Sequence, residues 1–187
     1  MKAHASRQRG SRGVTLVESM IAVMLLALCA SLAVPAFVGW RVRDQVDARA
    51  SALLGTLAYA RGEAIRRHAR ITVCRIDAAR NCLASGAACP SGLLDWSCGW
   101  AVMVTGADGE SRPLRIQSRL DEIGVSSSLN TIAFTPPAGQ TIGTLRSFEV
   151  APRDASPAMT ADRWRRCIRI AAGGRVRISE GACGASS

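Results

Sequence analysis

The chain shows three successive patterns of apolar and polar positions. From Ser19 to Trp40 there are 22 residues without a charge. Between Val42 and Ala64, apolar residues recur at spacings of three and four, which is the period of one helix face. Beyond residue 70 the apolar residues alternate in short runs, which Ser-, Gly- and Pro-rich stretches separate. The pattern predicts an α+β protein in which one long N-terminal helix packs on a C-terminal antiparallel β domain.

The second half of the helix carries a single apolar stripe, and we expect the helix to end between Arg67 and Ala69. The stripe consists of Val42, Val46, Ala50, Leu53, Leu57, Ala60 and Ala64. Seven strands are predicted after the helix. They are Ile71–Ile76, Trp100–Thr105, Leu114–Gln117, Thr131–Thr135, Leu145–Val150, Cys167–Ala171 and Arg175–Ser179.

The charge-free run is long enough to cross about 30 Å of hydrocarbon as a helix. Residues 1–13 before it contain four basic side chains and no acid, which predicts a cytoplasmic N-terminus. Glu18 lies at the start of the apolar segment, where a carboxylate is costly and is rarely kept without a partner. We therefore expect Glu18 to have a partner.

Composition argues against an enzyme. The net charge is +10, from 24 basic and 14 acidic residues, and Lys2 is the only lysine. Lysine-based chemistry is excluded once the N-terminus is trimmed. The two histidines, His4 and His68, give little support to a metal site or a catalytic triad. We expect no catalytic residue, no cofactor and no bound metal.

Seven cysteines suit a domain in an oxidising compartment. Cys29 lies in the predicted span and is expected to act as a small apolar residue. The other six permit up to three disulfides, and their spacing matches no metal motif; they are Cys74, Cys82, Cys89, Cys98, Cys167 and Cys183. Six cysteines allow 15 pairings. We favour Cys167 with Cys183, because both flank one predicted hairpin.

The hairpin reads CIRIAAGGRVRISEGAC from Cys167 to Cys183. A two-residue Gly-Gly loop would mix apolar and basic side chains on each face. A three-residue loop at 172–174 instead pairs Ile170 with Val176 and Ile168 with Ile178, which makes one face wholly apolar. We predict the three-residue loop, with a glycine supplying the positive φ.

The opposite face of this hairpin then carries Arg169, Arg175 and Arg177. From Asp162 to Cys183 there are six arginines against two acids, a local charge of +4. Two interpretations remain open. The arginines form either a solvated basic edge, which blunts strand aggregation, or a site for a polyanion, whose phosphate oxygens suit arginine forks. Arg175 and Arg177 project from one face about 6.5–7 Å apart.

The N-terminal segment resembles the prepilin motif of type IV pilins and type II secretion pseudopilins. Residues 13–18 read GVTLVE, after a basic leader and before the long apolar run. The resemblance implies that a prepilin peptidase cuts between Gly13 and Val14 and methylates the new terminus. The implied divisions are a leader at 1–13, a transmembrane and assembly half of the helix at 14–40, an amphipathic half at 41–69 and a periplasmic disulfide-containing β domain at 70–187. Glu18 would then neutralise the amine of a neighbouring subunit.

The hairpin resembles the Gly-Arg-x-Arg element of FimT-type minor pilins, through Gly174, Arg175 and Arg177 and a cysteine near the C-terminus. Residues 95–100 (DWSCGW) and 134–136 (FTP) with Gly139 are also similar to the FimT/GspH domain. The resemblance implies a minor pilin in the inner membrane, and at the cell surface in the pilus. It would assemble with other pilin subunits and bind double-stranded DNA non-specifically during natural transformation. The alternative is a GspH-like minor pseudopilin with a structural role in type II secretion.

Overall fold

The computed structural model describes residues 15–84, 86–90, 92–106, 109–119, 121–141, 146–153 and 161–184. The predicted leader, the predicted processing site at Gly13 and Val14, and the first residue of the strand predicted from Leu145 lie outside these residues. The chain divides into two compact units, Met1–Trp40 and Arg41–Ser187. They are described separately below.

Helix α1 spans Leu16–Arg67 and crosses the boundary between the two units. In the first unit the large apolar side chains of α1 that the structure describes are exposed; Leu16 is 75% exposed and Trp40 63%. Among the described residues, no helix is long and apolar enough to cross a membrane. The span predicted for residues 14–40 therefore stays a prediction.

In the second unit α1 buries the predicted stripe. Six of its seven members are completely buried, namely Val46, Ala50, Leu53, Leu57, Ala60 and Ala64. Val42, the first member, is half-buried. The helix continues through Gly55 and Gly62 and ends at Arg67, as the sequence predicts. Tertiary burial of the stripe outweighs the low helix propensity of these two glycines.

Within the described ranges, nine strands follow the helix in two antiparallel sheets. The strands are β1 Ile71–Arg75, β2 Trp100–Thr105, β3 Ser111–Gln117, β4 Ile123–Ser126, β5 Thr131–Thr135, β6 Gln140–Thr141, β7 Arg146–Pro152, β8 Arg166–Ile170 and β9 Val176–Glu180. One sheet has the order β3-β2-β1-β5-β6 and the other β4-β7-β8-β9. The sequence did not predict β4 and β6, because β4 has four residues including Gly124 and β6 only two.

One core lies between α1 and the inner faces of both sheets. It combines the helix stripe with buried side chains from each sheet, such as Phe134 of β5 and Phe148 of β7. Trp96, from the loop before β2, meets Phe148 edge to face at 4.8 Å between ring centroids. Its Nε1 donates to the carbonyl of Leu129 at 2.7 Å. The antiparallel β domain packed on a long helix is therefore the α+β architecture that the sequence predicts.

Three disulfides lie in the β domain. They join Cys74 to Cys82, Cys89 to Cys98 and Cys167 to Cys183. The last is the pair that the sequence analysis favours, and it connects β8 with the segment after β9. Cys29 is unpaired and exposed on α1.

The loop between Cys82 and Cys98 is held by a buried arginine. Arg75 of β1 is 1% exposed. Its guanidinium donates to the carbonyls of Ala87 and Leu93 at 2.9 and 2.6 Å, and to the side-chain oxygen of Asn130 at 2.6 Å. Because several of its donors meet fixed acceptors, Arg75 joins the disulfide loop to the sheet.

The last turn of α1 contains a buried carboxylate between two arginines. Hydrogen bonds from Arg66 and Arg67 hold the pKa of Glu63 below its ordinary value, and the bonds to Glu63 raise the pKa of Arg66. A carboxylate oxygen of Glu63 lies 2.7 Å from Nη2 of Arg66. Because this pKa is lower in the folded chain than in the unfolded chain, the ionised carboxylate stabilises the folded chain at pH values above the unfolded pKa of about 4.3. The stabilisation is lost as the pH falls through the folded pKa.

Glu63→Gln should therefore lower the free energy of unfolding at pH 7. Between pH 7 and pH 3 this free energy should decrease less in the variant than in the parent chain. Urea unfolding at a series of pH values measures both effects. Glu110→Gln is the matched control, since Glu110 is exposed in a loop. Parallel pH profiles for Glu63→Gln and the parent chain would contradict the assigned role.

Candidate nucleic-acid interface

The hairpin of β8 and β9 has the predicted register. Ile170 lies opposite Val176, Arg169 opposite Arg177, and Ile168 opposite Ile178. The N–H of Ala171 donates to the carbonyl of Arg175 at 3.0 Å and closes a three-residue loop. This confirms the loop at 172–174. Burial of one apolar face is the constraint that selects it.

The apolar face is not buried along its whole length. Ile168 and Ile170 on β8 are buried and Val176 is half-buried, but Ile178 is 41% exposed. The reason is topological, because β9 is the edge strand of its sheet. The sequence pattern identifies the face but not the position of the strand in the sheet.

The other face carries three arginines without a carboxylate partner in the described part of the chain. Arg175 and Arg177 are exposed, and Arg169 is half-buried. Nη2 of Arg169 donates to the carbonyl of Cys183 at 3.1 Å, which holds its guanidinium beside the disulfide. Like charges opposite one another in a sheet repel. The face is therefore left with positive charge that an anion would neutralise.

Of the other three arginines between Asp162 and Cys183, Arg165 and Arg166 have carboxylate partners, and the guanidinium of Arg163 lies over the ring of Trp164. Arg165 pairs with Glu149 at 2.9 Å, and Arg166 with Asp47 at 2.5 Å. Arg166 is buried, and it also lies 3.4 Å from Glu180. Arg166 connects β8 with α1 and with β9, and Arg165, directly before β8, pairs with β7. The six arginines between Asp162 and Cys183 are therefore not equally available to an anion, because Arg165 and Arg166 already have carboxylate partners.

A fourth arginine reaches this surface from the helix. An open groove of about 540 Å³ is lined by Arg61, Arg169, Ile170, Ala171, Gly173, Arg175 and Arg177. We call it the arginine groove. Sequence reasoning missed Arg61. Its only sequence signal is its place beside Ala60 at the edge of the stripe, which does not relate it to the hairpin.

Two glycines bring the groove together. Gly174 has φ +75°, and a Cβ on it would lie 1.9 Å from the carbonyl oxygen of Gly139. Gly139, with φ +64°, would place a Cβ 2.6 Å from Cγ of Arg61. The Thr141 N–H also donates to the carbonyl of Ala172 at 3.0 Å. Two segments that resemble the FimT/GspH domain, near Gly139 and near Gly174, therefore touch each other.

Gly174 itself is buried, so its part in the predicted DNA site is conformational. It allows the hairpin tip to approach the turn at Gly139, and this approach fixes the position of the adjacent Arg175.

Glu18, the predicted assembly residue, lies in the first turn of α1 and is exposed. Its N–H donates to Oγ1 of Thr15 at 3.2 Å, which is half of a capping box at the Thr-x-x-Glu spacing. Glu18 thus also suits the helix N-terminus. Within the described residues, no group of three or more His, Cys, Asp or Glu side chains could hold a metal ion.

Gly174→Ala should lower the free energy of unfolding by at least about 1–2 kcal/mol, because alanine is strained at positive φ and its Cβ meets a backbone oxygen. Urea unfolding measures this change. Gly173→Ala is the matched control, since a Cβ there meets nothing within 4 Å. Equal stability of the two variants would show that the tip does not need the close approach.

Comparisons with known proteins agree with this architecture. The family model of the type II transport protein GspH matches residues 49–174, and the prokaryotic N-terminal methylation motif matches residues 8–34. None of the curated proteins compared with the chain matches it significantly.

Among solved structures, the type IV minor pilin FimU of Pseudomonas aeruginosa is similar in two crystal forms. One has a TM-score of 0.53 over 73% of this chain and 90% of FimU; the other has 0.51 over 71% and 91%. Both are 20% identical to this chain. The minor pseudopilin EpsH of Vibrio cholerae has a TM-score of 0.49, with 12% identity over 72% of this chain and 96% of EpsH. Because the GspH model covers more than half of the sequence, the chain belongs to the GspH family of minor pilins and pseudopilins.

Proposed function

We propose that the chain is a minor pilin of a type IV pilus that binds extracellular DNA non-specifically through its C-terminal hairpin during natural transformation. The observation that carries this proposal is the arginine groove. Its exposed Arg175 and Arg177 have no carboxylate partner among the described residues, although other arginines close by in sequence, such as Arg165, do have one. Unpaired guanidinium forks on an open surface suit phosphate oxygens.

The proposed contact is to phosphates and not to bases. Trp164 is the nearest aromatic residue in sequence, and its ring is already covered by the guanidinium of Arg163 at 5.3 Å. Base stacking needs exposed aromatic faces. Since contacts to phosphates carry no sequence information directly, binding through this groove is independent of sequence.

The N-terminal unit supplies the anchor in this proposal. A prepilin peptidase removes residues 1–13, and Val14 becomes the mature N-terminus. The exposed apolar side chains of residues 16–40 are then covered by the inner membrane before assembly and by other pilin subunits within the filament. The β domain lies in the periplasm until assembly brings it to the cell surface.

A structural role in type II secretion is the second candidate, and the match to the GspH family favours it. In that role the arginines of the hairpin are a solvated basic edge on the exposed strand β9. The two functions differ in one property, which is whether the groove binds a polyanion.

The full-length chain, purified in detergent, should bind duplex DNA of any sequence with a steep salt dependence. Each neutralised phosphate releases counterions, so three or four engaged arginines give a slope of log K against log salt of about −3 to −4. Arg175→Gln and Arg177→Gln should each weaken binding and flatten the slope by about one unit. Fluorescence anisotropy with two unrelated duplexes measures both quantities.

Arg112→Gln on strand β3 is the control and should change little, because Arg112 does not line the groove. None of the three variants should unfold at a lower temperature than the parent chain, since their side chains are exposed. If the double variant at 175 and 177 binds DNA as well as the parent at low salt, the structural role in secretion becomes the better-supported function.

Glu18→Ala should leave membrane insertion intact and impair incorporation into filaments. The carboxylate is proposed to neutralise the amine at Val14 of a neighbouring subunit, which offsets the cost of holding both charges in an apolar surrounding. Immunoblots of membrane and sheared-filament fractions measure the two steps. Glu18→Asp is the matched variant that keeps the charge and the helix-terminal preference. Normal incorporation of Glu18→Ala would rule out the pairing.

A further inference from the structure

We infer that Arg61 of helix α1 is a phosphate-binding residue of the arginine groove, so that one phosphate of the DNA backbone is held between the helix and the hairpin. This inference rests on the proposed function. It extends the site from one hairpin to two separate elements of the fold.

The first observation is that the guanidinium of Arg61 is poorly satisfied. Its Nε is buried and has no hydrogen-bond partner. Nη2 donates to the carbonyl of Ala138 at 3.4 Å, near the limit for a hydrogen bond. No carboxylate of the described residues forms an ion pair with it. A half-buried cation without an anion carries a desolvation cost that a bound anion would offset.

The second observation is that the fold holds this guanidinium in place. The turn at Gly139 lies against Cγ of Arg61, and a Cβ on Gly174 would lie 3.1 Å from its Nε. Ala60 before it is completely buried in the core. The side chain of Arg61 is therefore confined between the helix, one turn and the hairpin tip. A guanidinium restrained in this way loses less conformational entropy on binding than one on a free surface.

The third observation concerns the chemistry of the surroundings. The charged side chains that line the groove are four arginines and no acids. The ligand must therefore be anionic, and it must offer several acceptor oxygens to guanidiniums that approach from different directions. A phosphodiester meets this requirement. The groove volume of about 540 Å³ falls within the usual range for small-ligand sites, about 300–1,000 Å³, so it admits a phosphate with its adjoining sugar.

The test compares the full-length chain in detergent with Arg61→Gln, using a 30-base-pair duplex as the probe. Arg61→Gln should weaken binding about tenfold at low salt, since a charged hydrogen bond is lost, and should flatten the salt slope by about one unit. Arg49→Gln is the matched control, because Arg49 is exposed on the same helix and does not line the groove. It should bind as the parent does.

Arg61→Lys separates phosphate binding from a structural role. Lysine restores the charge without the fork, so the slope should return to the parental value while the affinity stays below it. If Arg61 only supports the hairpin tip, lysine will not restore the slope. That result would overturn the inference.

The outcomes also separate this inference from the proposed function. If Arg61→Gln binds like the parent while Arg175→Gln is weakened, the inference is wrong and the function stands. If neither variant is weakened, the function itself fails. Should Arg61→Gln not fold, phenylglyoxal labelling of the parent chain, read by mass spectrometry, replaces it. The duplex should then protect Arg61 together with Arg175, and protection of Arg175 alone would overturn the inference.

Discussion

The folded unit depends on the burial of one helix face against two sheets. Six side chains of α1 are completely buried, and each fully buried leucine, such as Leu53 or Leu57, contributes about 1.5–3 kcal/mol through removal from water. The same contact brings together two sheets whose described strands do not pair with each other. The ion pair of the buried Arg166 with the half-exposed Asp47 then connects β8 to the helix. As a consequence, the hairpin tip lies beside α1, and Arg61 enters a surface that the hairpin alone would not form.

Charge distribution distinguishes the supporting arginines from those that are free to bind. Arg75, Arg165 and Arg166 meet carbonyls or carboxylates and hold the fold together. In the arginine groove, by contrast, the lining contains no acid. Repulsion between these arginines lowers the stability of the folded chain. A bound polyanion neutralises their charges and accepts hydrogen bonds from their guanidinium groups. Because the proposed contacts are to phosphates, the proposed interface needs no aromatic residue and does not distinguish one base sequence from another.

Much of the fold could be predicted from the sequence, because its signals are local. The stripe from Val46 to Ala64 follows from helical periodicity, and the register of β8 with β9 follows from the need to bury one face. Strands β4 and β6 are too short to give a pattern of their own. The partners of Arg165 and Arg166 and the presence of Arg61 in the groove could not be predicted. They depend on contacts between residues far apart in the chain, such as position 61 with positions 139 and 174.

In the proposed complex, DNA phosphates enter the arginine groove between helix and hairpin. The most direct measurement is the nuclear magnetic resonance of arginine Nε–Hε groups in the labelled full-length chain, titrated with a short duplex. Binding in the groove should shift the signals of Arg61, Arg175 and Arg177 together and saturate them together, while those of the buried Arg75 and Arg166 stay unchanged. Shifts spread evenly over exposed arginines such as Arg49 and Arg70, with none at Arg61, would rule out this binding mode.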